Sequence, residues 1–198
     1  MTTDQDAAMM RRCLALASSA RARGEVPYAA VIGRNGRMVC ESINRANADR
    51  DVTQHAELVA ISQAQKALGT SSLDDCTLYT LVEPCPMCAY AMREVRIGRV
   101  VYGLGSPVMG GHSRWNILGD DGLSSRMPEV FATPPDIVAG FFTHEAAAVM
   151  QAWNPLFWTF VELRDLIRAD VLHGTKRGRK RSLAAASLRW MVDRLWRR

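Results

Sequence analysis

Four residues with metal-binding or proton-transfer side chains occur in two short motifs. His55 and Glu57 lie in the motif His-Ala-Glu, and Cys85 and Cys88 lie in the motif Glu-Pro-Cys-Pro-Met-Cys. A C-x-x-C pair alone is compatible with a zinc site, a redox pair or chance, although a redox pair more commonly follows the first strand of a thioredoxin-like domain. The two cysteines by themselves therefore favour zinc only modestly.

The elements around the two motifs strengthen the zinc interpretation. A helix is predicted for 53–68, with Thr53 as its N-cap, followed by a buried strand in 76–82 and a second helix from Pro86 to about residue 95. In such a helix–strand–helix arrangement the first turns of both helices lie at the same edge of the sheet. One imidazole and two thiolates can therefore converge there.

Three protein ligands leave the fourth tetrahedral position for water, which is the layout of a catalytic zinc site rather than a closed structural one. Glu57, two residues after His55, is then a candidate proton carrier. The alternative for Glu57 is that a carboxylate in the first turn only stabilises the helix dipole. Two function classes follow: a zinc-dependent hydrolase that uses Glu57, or a non-catalytic zinc- or RNA-binding module.

The remaining pattern predicts an α/β fold with helices packed on the faces of a sheet. A helix is predicted for 4–23, a hairpin turn at Asn35-Gly36, and a strand for 99–104. Residues 103–136 have little periodicity, so they form either a functional loop or a loop that contains a short helix. The last predicted elements are a strand in 137–142, a helix in 145–153 and a further helix capped by Asn154-Pro155.

The composition of the chain and its polar start indicate the cellular compartment of the protein. The polar start of the chain does not resemble a secretory signal, and no apolar run approaches membrane-spanning length, so no integral membrane segment is predicted. Five cysteines without a secretion signal favour reduced thiols in the cytoplasm. We therefore expect a cytoplasmic protein.

Charge is distributed unevenly along the chain. Residues 174–198 hold nine Lys or Arg and one Asp, a net +8, so residues 1–173 carry −3 of the overall +5. We predict one domain over 1–173 and a basic tail over 174–198 that has the pattern of an amphipathic helix. The tail is compatible with an RNA-phosphate contact, an interfacial membrane helix or a solvated appendage.

The motifs and their surroundings resemble a known family. H-x-E followed by P-C-x-x-C is the signature of zinc nucleobase deaminases. Around it, "EVPYAAV", "NRANADRDVTQHAE", "LYTLVEPCPMCAYAM" and "RIGRVVYG" are similar to the bacterial tRNA adenosine deaminases, within the cytidine and deoxycytidylate deaminase-like superfamily. The resemblance covers about residues 5–104, and the chain diverges from about residue 105 onward.

The resemblance implies a three-layer α-β-α sandwich around a five-stranded mixed sheet, commonly in a homodimer. It implies that His55, Cys85 and Cys88 hold one zinc ion per chain and that Glu57 moves protons. By the same resemblance, substrate contacts come from three further residues: Asn44, Val26 and Ala56.

The implied activity is hydrolytic removal of an exocyclic amine, with adenosine in tRNA or as a nucleoside favoured. A small free base or nucleoside, such as guanine, cytosine or cytidine, stays open as the alternative. The unfamiliar loop after residue 105 borders the expected pocket, where His112 and Trp115 either contact the substrate or anchor the loop.

Overall fold

The computed structural model describes residues 2–169, which build a five-stranded mixed sheet. The strands are β1 (Ala29–Arg34), β2 (Arg37–Ile43), β3 (Cys76–Val82), β4 (Arg99–Leu104) and β5 (Asp136–Ala139), in the order β2-β1-β3-β4-β5. β1 is antiparallel to both β2 and β3, whereas β3, β4 and β5 are parallel. The predicted five-stranded mixed sheet is confirmed.

Helices cover both faces of the sheet. They are α1 (Asp4–Ser19), α2 (Ala56–Leu68), α3 (Pro86–Glu94), α4 (Asp121–Arg126), α5 (Thr143–Trp153) and α6 (Pro155–Leu163). One apolar core joins α1, α5 and α6 to one face through residues such as Met10, Met150 and Phe157. A second core joins α2 and α3 to the other face through Ile61 and Met92. The predicted three-layer sandwich is therefore confirmed.

Turn and cap residues end the elements where the sequence predicts. Asn35 and Gly36 adopt φ of 50° and 73°, the left-handed conformations of a tight hairpin turn between β1 and β2. A short 3-10 helix continues α1 to Arg23, where Gly24 stops it with φ of 70°. Asn154 caps α6 by accepting a hydrogen bond from the backbone N–H of Phe157.

Two predicted boundaries are wrong. Helix α2 begins at Ala56 rather than after Thr53, because the hydroxyl and backbone N–H of Thr53 both donate to the Asp51 carboxylate and His55 becomes the N-cap. Strand β5 ends at Ala139 rather than continuing through 142, because Gly140 and Phe142 have positive φ. Within 103–136 the structure contains the short helix α4.

Residues 2–169 contain no helix that is long and apolar enough to cross a membrane. The basic tail predicted for 174–198 lies outside the described residues.

Candidate metal and substrate site

Two helix N-termini bring the predicted metal ligands together. His55 is the N-cap of α2, Cys85 is the N-cap of α3, and Cys88 lies in the first turn of α3. Pro86 occupies the first position of α3, where its missing N–H removes no helical hydrogen bond. The backbone of these turns therefore aims one nitrogen and two sulfurs at a common point.

The three ligand atoms form a nearly regular triangle. Nδ1 of His55 lies 3.6 Å from Sγ of Cys85 and 3.5 Å from Sγ of Cys88, and the two sulfurs are 3.6 Å apart. Tetrahedral zinc with ordinary bond lengths needs about 3.6 Å between nitrogen and sulfur and about 3.8 Å between sulfurs. Donor types and separations thus fit a zinc ion held by His55, Cys85 and Cys88.

Hydrogen bonding within the triangle favours the thiolate form at Cys85 only. The hydrogen bond with Cys88 is the largest influence on Cys85 and lowers the pKa of its thiol to about 4, while the pKa of Cys88 is raised. The contact with Cys85 also raises the pKa of His55. Zinc needs two thiolates and a neutral imidazole, so its binding would displace the protons that Cys88 and His55 retain.

Glu57 places a carboxylate beside the triangle. It is 8% exposed, and its Oε2 lies 3.7 Å from Sγ of Cys88, while its Oε1 accepts a 3.4 Å hydrogen bond from the hydroxyl of Thr80. Burial raises the pKa of Glu57. A raised pKa favours proton uptake by the carboxylate, as a group that moves protons requires.

The three predicted substrate contacts lie around the same edge of the sheet. Asn44 follows β2 directly, and its backbone N–H donates to the carbonyl of Tyr28 at 2.9 Å. The next residue along the chain, Arg45, pairs through its N–H with the carbonyl of Gln54, the neighbour of His55.

Ala56 is held against β2, because its carbonyl accepts a hydrogen bond from the hydroxyl of Ser42. Val26 is buried in the turn before β1, two residues from Tyr28. The structure therefore brings Asn44 and Ala56 close to the turn that carries His55, with Val26 on the neighbouring turn.

The loop after β4 is fastened to the residue that precedes the metal-binding turn. Glu83 is 4% exposed, and its carboxylate accepts hydrogen bonds from the backbone N–H groups of Ser106, His112 and Ser113. The N–H of Gly111 also donates to the carbonyl of Pro84 at 2.7 Å. These hydrogen bonds hold the divergent loop, residues 105–118, against the turn that carries Cys85.

The structure assigns different environments to the two loop residues that the sequence singled out. Nδ1 of His112 lies 2.9 Å from the hydroxyl of Tyr102, so its ring is held against β4. Trp115 is 58% exposed and carries the guanidinium of Arg114 over its ring, 5.4 Å from the centroid. Trp115 therefore does not anchor the loop to the core.

Three residues near the site were not identified from the sequence. Glu83 anchors the loop after β4, and Glu25 accepts a hydrogen bond from the Asn44 amide. The third is Tyr28, whose pKa is raised to about 12, mainly by burial and further by the nearby Glu57 and Cys85. An acidic residue inside an otherwise apolar stretch, as in "GEVPY" and "LVEPC", was the available signal for the two glutamates.

Comparison with protein families places the site in a known context. The model of the cytidine and deoxycytidylate deaminase zinc-binding region matches residues 3–104. Those residues contain β1 to β4, the first three helices and all three candidate ligands.

Individual relatives extend the similarity beyond the matched region. The chain is 40% identical over 145 residues to a tRNA(Ile)-lysidine synthase from Deinococcus radiodurans, a match that covers 73% of this chain but only 24% of that protein. It is 46% identical over 76 residues to a guanine deaminase from Bacillus subtilis, 38% of this chain and 49% of that one. The chain thus spans less than half the length of these two relatives.

A solved structure matches at close to its full length. It comes from a study of A-to-I editing by tRNA:A34 deaminases at the wobble position of transfer RNA, and it is 35% identical with a TM-score of 0.65. The match covers 72% of this chain and 99% of that one.

Proposed function

The chain belongs to the family of cytidine and deoxycytidylate deaminases, and on this basis we propose that it catalyses the hydrolytic deamination of a nucleobase. In this reaction water and an exocyclic amine become a ring carbonyl and ammonia. The proposed ligands of one zinc ion are His55, Cys85 and Cys88, whose geometry fits that metal. Zinc bound there would supply the positive charge that lowers the pKa of water.

The buried carboxylate of Glu57 is the observation that supports catalysis over a structural role. A structural zinc site does not need an additional carboxylate beside its ligands, whereas deamination needs a group that moves protons. Oε2 of Glu57 lies 3.7 Å from Sγ of Cys88, and its Oε1 accepts a hydrogen bond from the hydroxyl of Thr80. We assign to this carboxylate two proton transfers: one proton passes from water to the ring nitrogen, and a second passes from the hydroxyl group left on the ring carbon to the leaving amine.

Adenosine is the favoured substrate, either in tRNA or as a nucleoside. The support is the near full-length similarity to the structure from the tRNA:A34 deaminase study. The high identity to a guanine deaminase over the shorter region makes a small free purine the second candidate. A homodimer, a cytoplasmic location and a domain over 1–173 remain predictions, together with substrate contacts by Asn44, Val26 and Ala56.

Ammonia release from the zinc-loaded protein tests the function. The panel contains adenine, guanine, cytosine, their nucleosides and a tRNA anticodon stem-loop. We expect one of these to be deaminated, and we expect Glu57→Ala to retain zinc while losing at least about a hundredfold in rate. Wild-type rates in Glu57→Ala would overturn the assigned mechanism, and no turnover of any compound would favour the non-catalytic zinc or RNA-binding module.

A further inference from the structure

A further buried carboxylate, apart from the metal-binding triangle, holds the side chain of Asn44. Glu25 is 2% exposed and lies in the turn between α1 and β1, and Asn44 is 4% exposed at the end of β2. Oε2 of Glu25 accepts a hydrogen bond from Nδ2 of Asn44 at 2.9 Å, and Oε1 accepts one from the backbone N–H of Ala48 at 2.8 Å. Each oxygen of Glu25 thus has its own N–H donor.

This contact fixes the direction of the Asn44 amide. A carboxylate only accepts hydrogen bonds, so Nδ2 must face Glu25 and Oδ1 must face away. Among residues 2–169 the Asn44 side chain makes no other hydrogen bond. Because buried amides normally satisfy their acceptor as well as their donors, Oδ1 and the second N–H proton are available to another molecule.

The backbone around the pair is held from three sides. The indole N–H of Trp153 on α5 donates to the carbonyl of Glu25 at 3.0 Å. The backbone of Asn44 is hydrogen-bonded to Tyr28, and the adjacent Arg45 to Gln54, next to His55. The backbone at Asn44 is therefore tied to the segment that carries His55.

We propose that Glu25 is a positioning residue that sets the hydrogen-bond polarity of Asn44, so that its carbonyl oxygen accepts from an N–H or O–H donor of the substrate. The inference rests on the proposed function, because it requires Asn44 to face the substrate. It adds a specificity rule: substrates that offer a hydrogen-bond donor at this point are preferred over analogues with an acceptor or a C–H there. A site built to hydrogen-bond a donor rejects analogues that lack it, because its own polar group is left unpaired.

Glu25→Gln tests this polarity directly. The fixed N–H of Ala48 must be met by the oxygen of the introduced amide, so its NH₂ group faces Asn44. Asn44 then has to turn its oxygen toward position 25 and present NH₂ to the substrate. We expect kcat/KM to fall at least about tenfold, mainly through KM, with zinc content unchanged. Glu94→Gln, an exposed substitution at the far end of α3, is the matched control and is expected to keep wild-type kinetics.

The double variant Glu25→Gln with Asn44→Asp restores the hydrogen-bond polarity of the pair. The negative charge then lies at position 44 instead of position 25. The introduced glutamine then donates to the introduced aspartate, whose second oxygen again presents an acceptor. We expect its kcat/KM to return to within about threefold of wild type, whereas Asn44→Asp alone places two carboxylates in contact and loses activity. A double variant no more active than the worse single variant overturns the inference.

A spectroscopic measurement separates failure of this inference from failure of the proposed function. In protein labelled with ¹⁵N-asparagine, the Asn44 side-chain resonance is identified by its loss in Asn44→Asp. We expect slow exchange of its bonded amide proton in wild type and in Glu94→Gln, and faster exchange with changed shifts in Glu25→Gln. Unchanged Asn44 resonances in Glu25→Gln refute the positioning role, whether or not any substrate is deaminated. Changed resonances without any turnover refute the proposed function alone.

Discussion

The three proposed ligands divide into one that the fold encloses and two that it leaves partly accessible. Cys88, in the first turn of α3, is fully buried, whereas Cys85 and His55 are partly exposed. Cys85 nevertheless has the lowered pKa of the pair, because Cys88 hydrogen-bonds it. Its thiolate is therefore the sulfur already charged at neutral pH, and we expect metal binding to depend on it.

Cys85→Ala is expected to lose both zinc and ammonia release. Two remaining ligands bind zinc far more weakly than three, since each thiolate contributes charge as well as a bond. Cys40→Ala is the matched control, because burial raises the pKa of that thiol to about 11 and its sulfur donates to the carbonyl of Ala60, away from the triangle. Inductively coupled plasma mass spectrometry should find little zinc in Cys85→Ala and wild-type zinc in Cys40→Ala. Full zinc content in Cys85→Ala would contradict the proposed ligand set.

The sequence identified the four motif residues of the site but not the two glutamates that support it, and the difference has a physical reason. Metal ligands and a proton carrier are rare residue types in fixed short spacings, so His55, Glu57 and the two cysteines were identifiable together. Glu25 and Glu83 act on partners 19 to 30 residues away, which include backbone N–H groups that any residue type supplies. No local pattern marks such a partner before the fold is known.

Among the elements, the loop between β4 and α4 depends on two adjacent glycines. A Cβ added at Gly110 would overlap the Glu83 carboxylate, and one added at Gly111 would overlap the side chain of Ala89 and lie 3.0 Å from the carbonyl of Pro84. Glycine therefore allows the loop to approach the metal-binding turn.

Gly111→Ala is expected to move the loop away from the metal-binding turn. We expect hydrogen exchange over 105–118 to increase and kcat/KM to fall about tenfold, while zinc content stays near the wild-type level. The matched control is Gly33→Ala in β1, where an added Cβ meets other atoms only at 3.5 Å or more. Equal exchange and kinetics in the two variants would mean that the loop does not shape the site.

A buried ion pair joins α1 to β3 and β4. Asp6 is 2% exposed and accepts hydrogen bonds from the hydroxyl of Tyr79 and from the Arg99 guanidinium, both at 2.7 Å, as well as from the backbone N–H of Thr3. Burial alone would raise the pKa of Asp6, but these hydrogen bonds outweigh it and hold the pKa below its ordinary value. The charged form of Asp6 therefore stabilises the fold.

Asp6→Asn is expected to reduce the free energy of unfolding at pH 7 by about 2 kcal/mol, because an amide places a donor against donors. A lowered folded pKa contributes stability that is present above the unfolded value of about 3.9 and is lost as pH falls through the folded value. The difference between wild type and variant in urea unfolding should thus be constant from pH 7 to about 5 and shrink below about 4. Asp4→Asn, exposed in the same helix, is the control, and a difference that persists at low pH would contradict this role.

Most elements were predictable because apolar periodicity and turn residues agree along the first half of the chain. Asn35-Gly36 and Gly69 end their elements through positive φ, which sequence patterns identify well. The start of α2 was not predictable, because Thr53 bonds Asp51 instead of capping the helix. The position of the loop 105–118 was not predictable either. Hydrogen bonds to Glu83 hold this loop in place, and its sequence has no apolar periodicity.

For the whole molecule, the distribution of charge bears on the choice between RNA and a small base. Residues 1–173 carry a net −3, whereas 174–198 carry +8. A negatively charged body repels phosphates, so any RNA affinity from long-range electrostatics has to come from the tail.

Truncation before Gly174 tests whether the tail serves an RNA substrate. Each phosphate that the shortened protein no longer neutralises should reduce the slope of log affinity against log salt by about 0.7 for single-stranded RNA. We expect the truncated protein to bind the anticodon stem-loop more weakly at low salt, with a flatter salt dependence, while kcat/KM for a small nucleoside stays at the wild-type value. Fluorescence anisotropy across a salt series and ammonia release measure the two quantities. An unchanged salt slope would exclude the tail from RNA binding, and because the body is acidic it would also shift the substrate preference toward a free base or nucleoside.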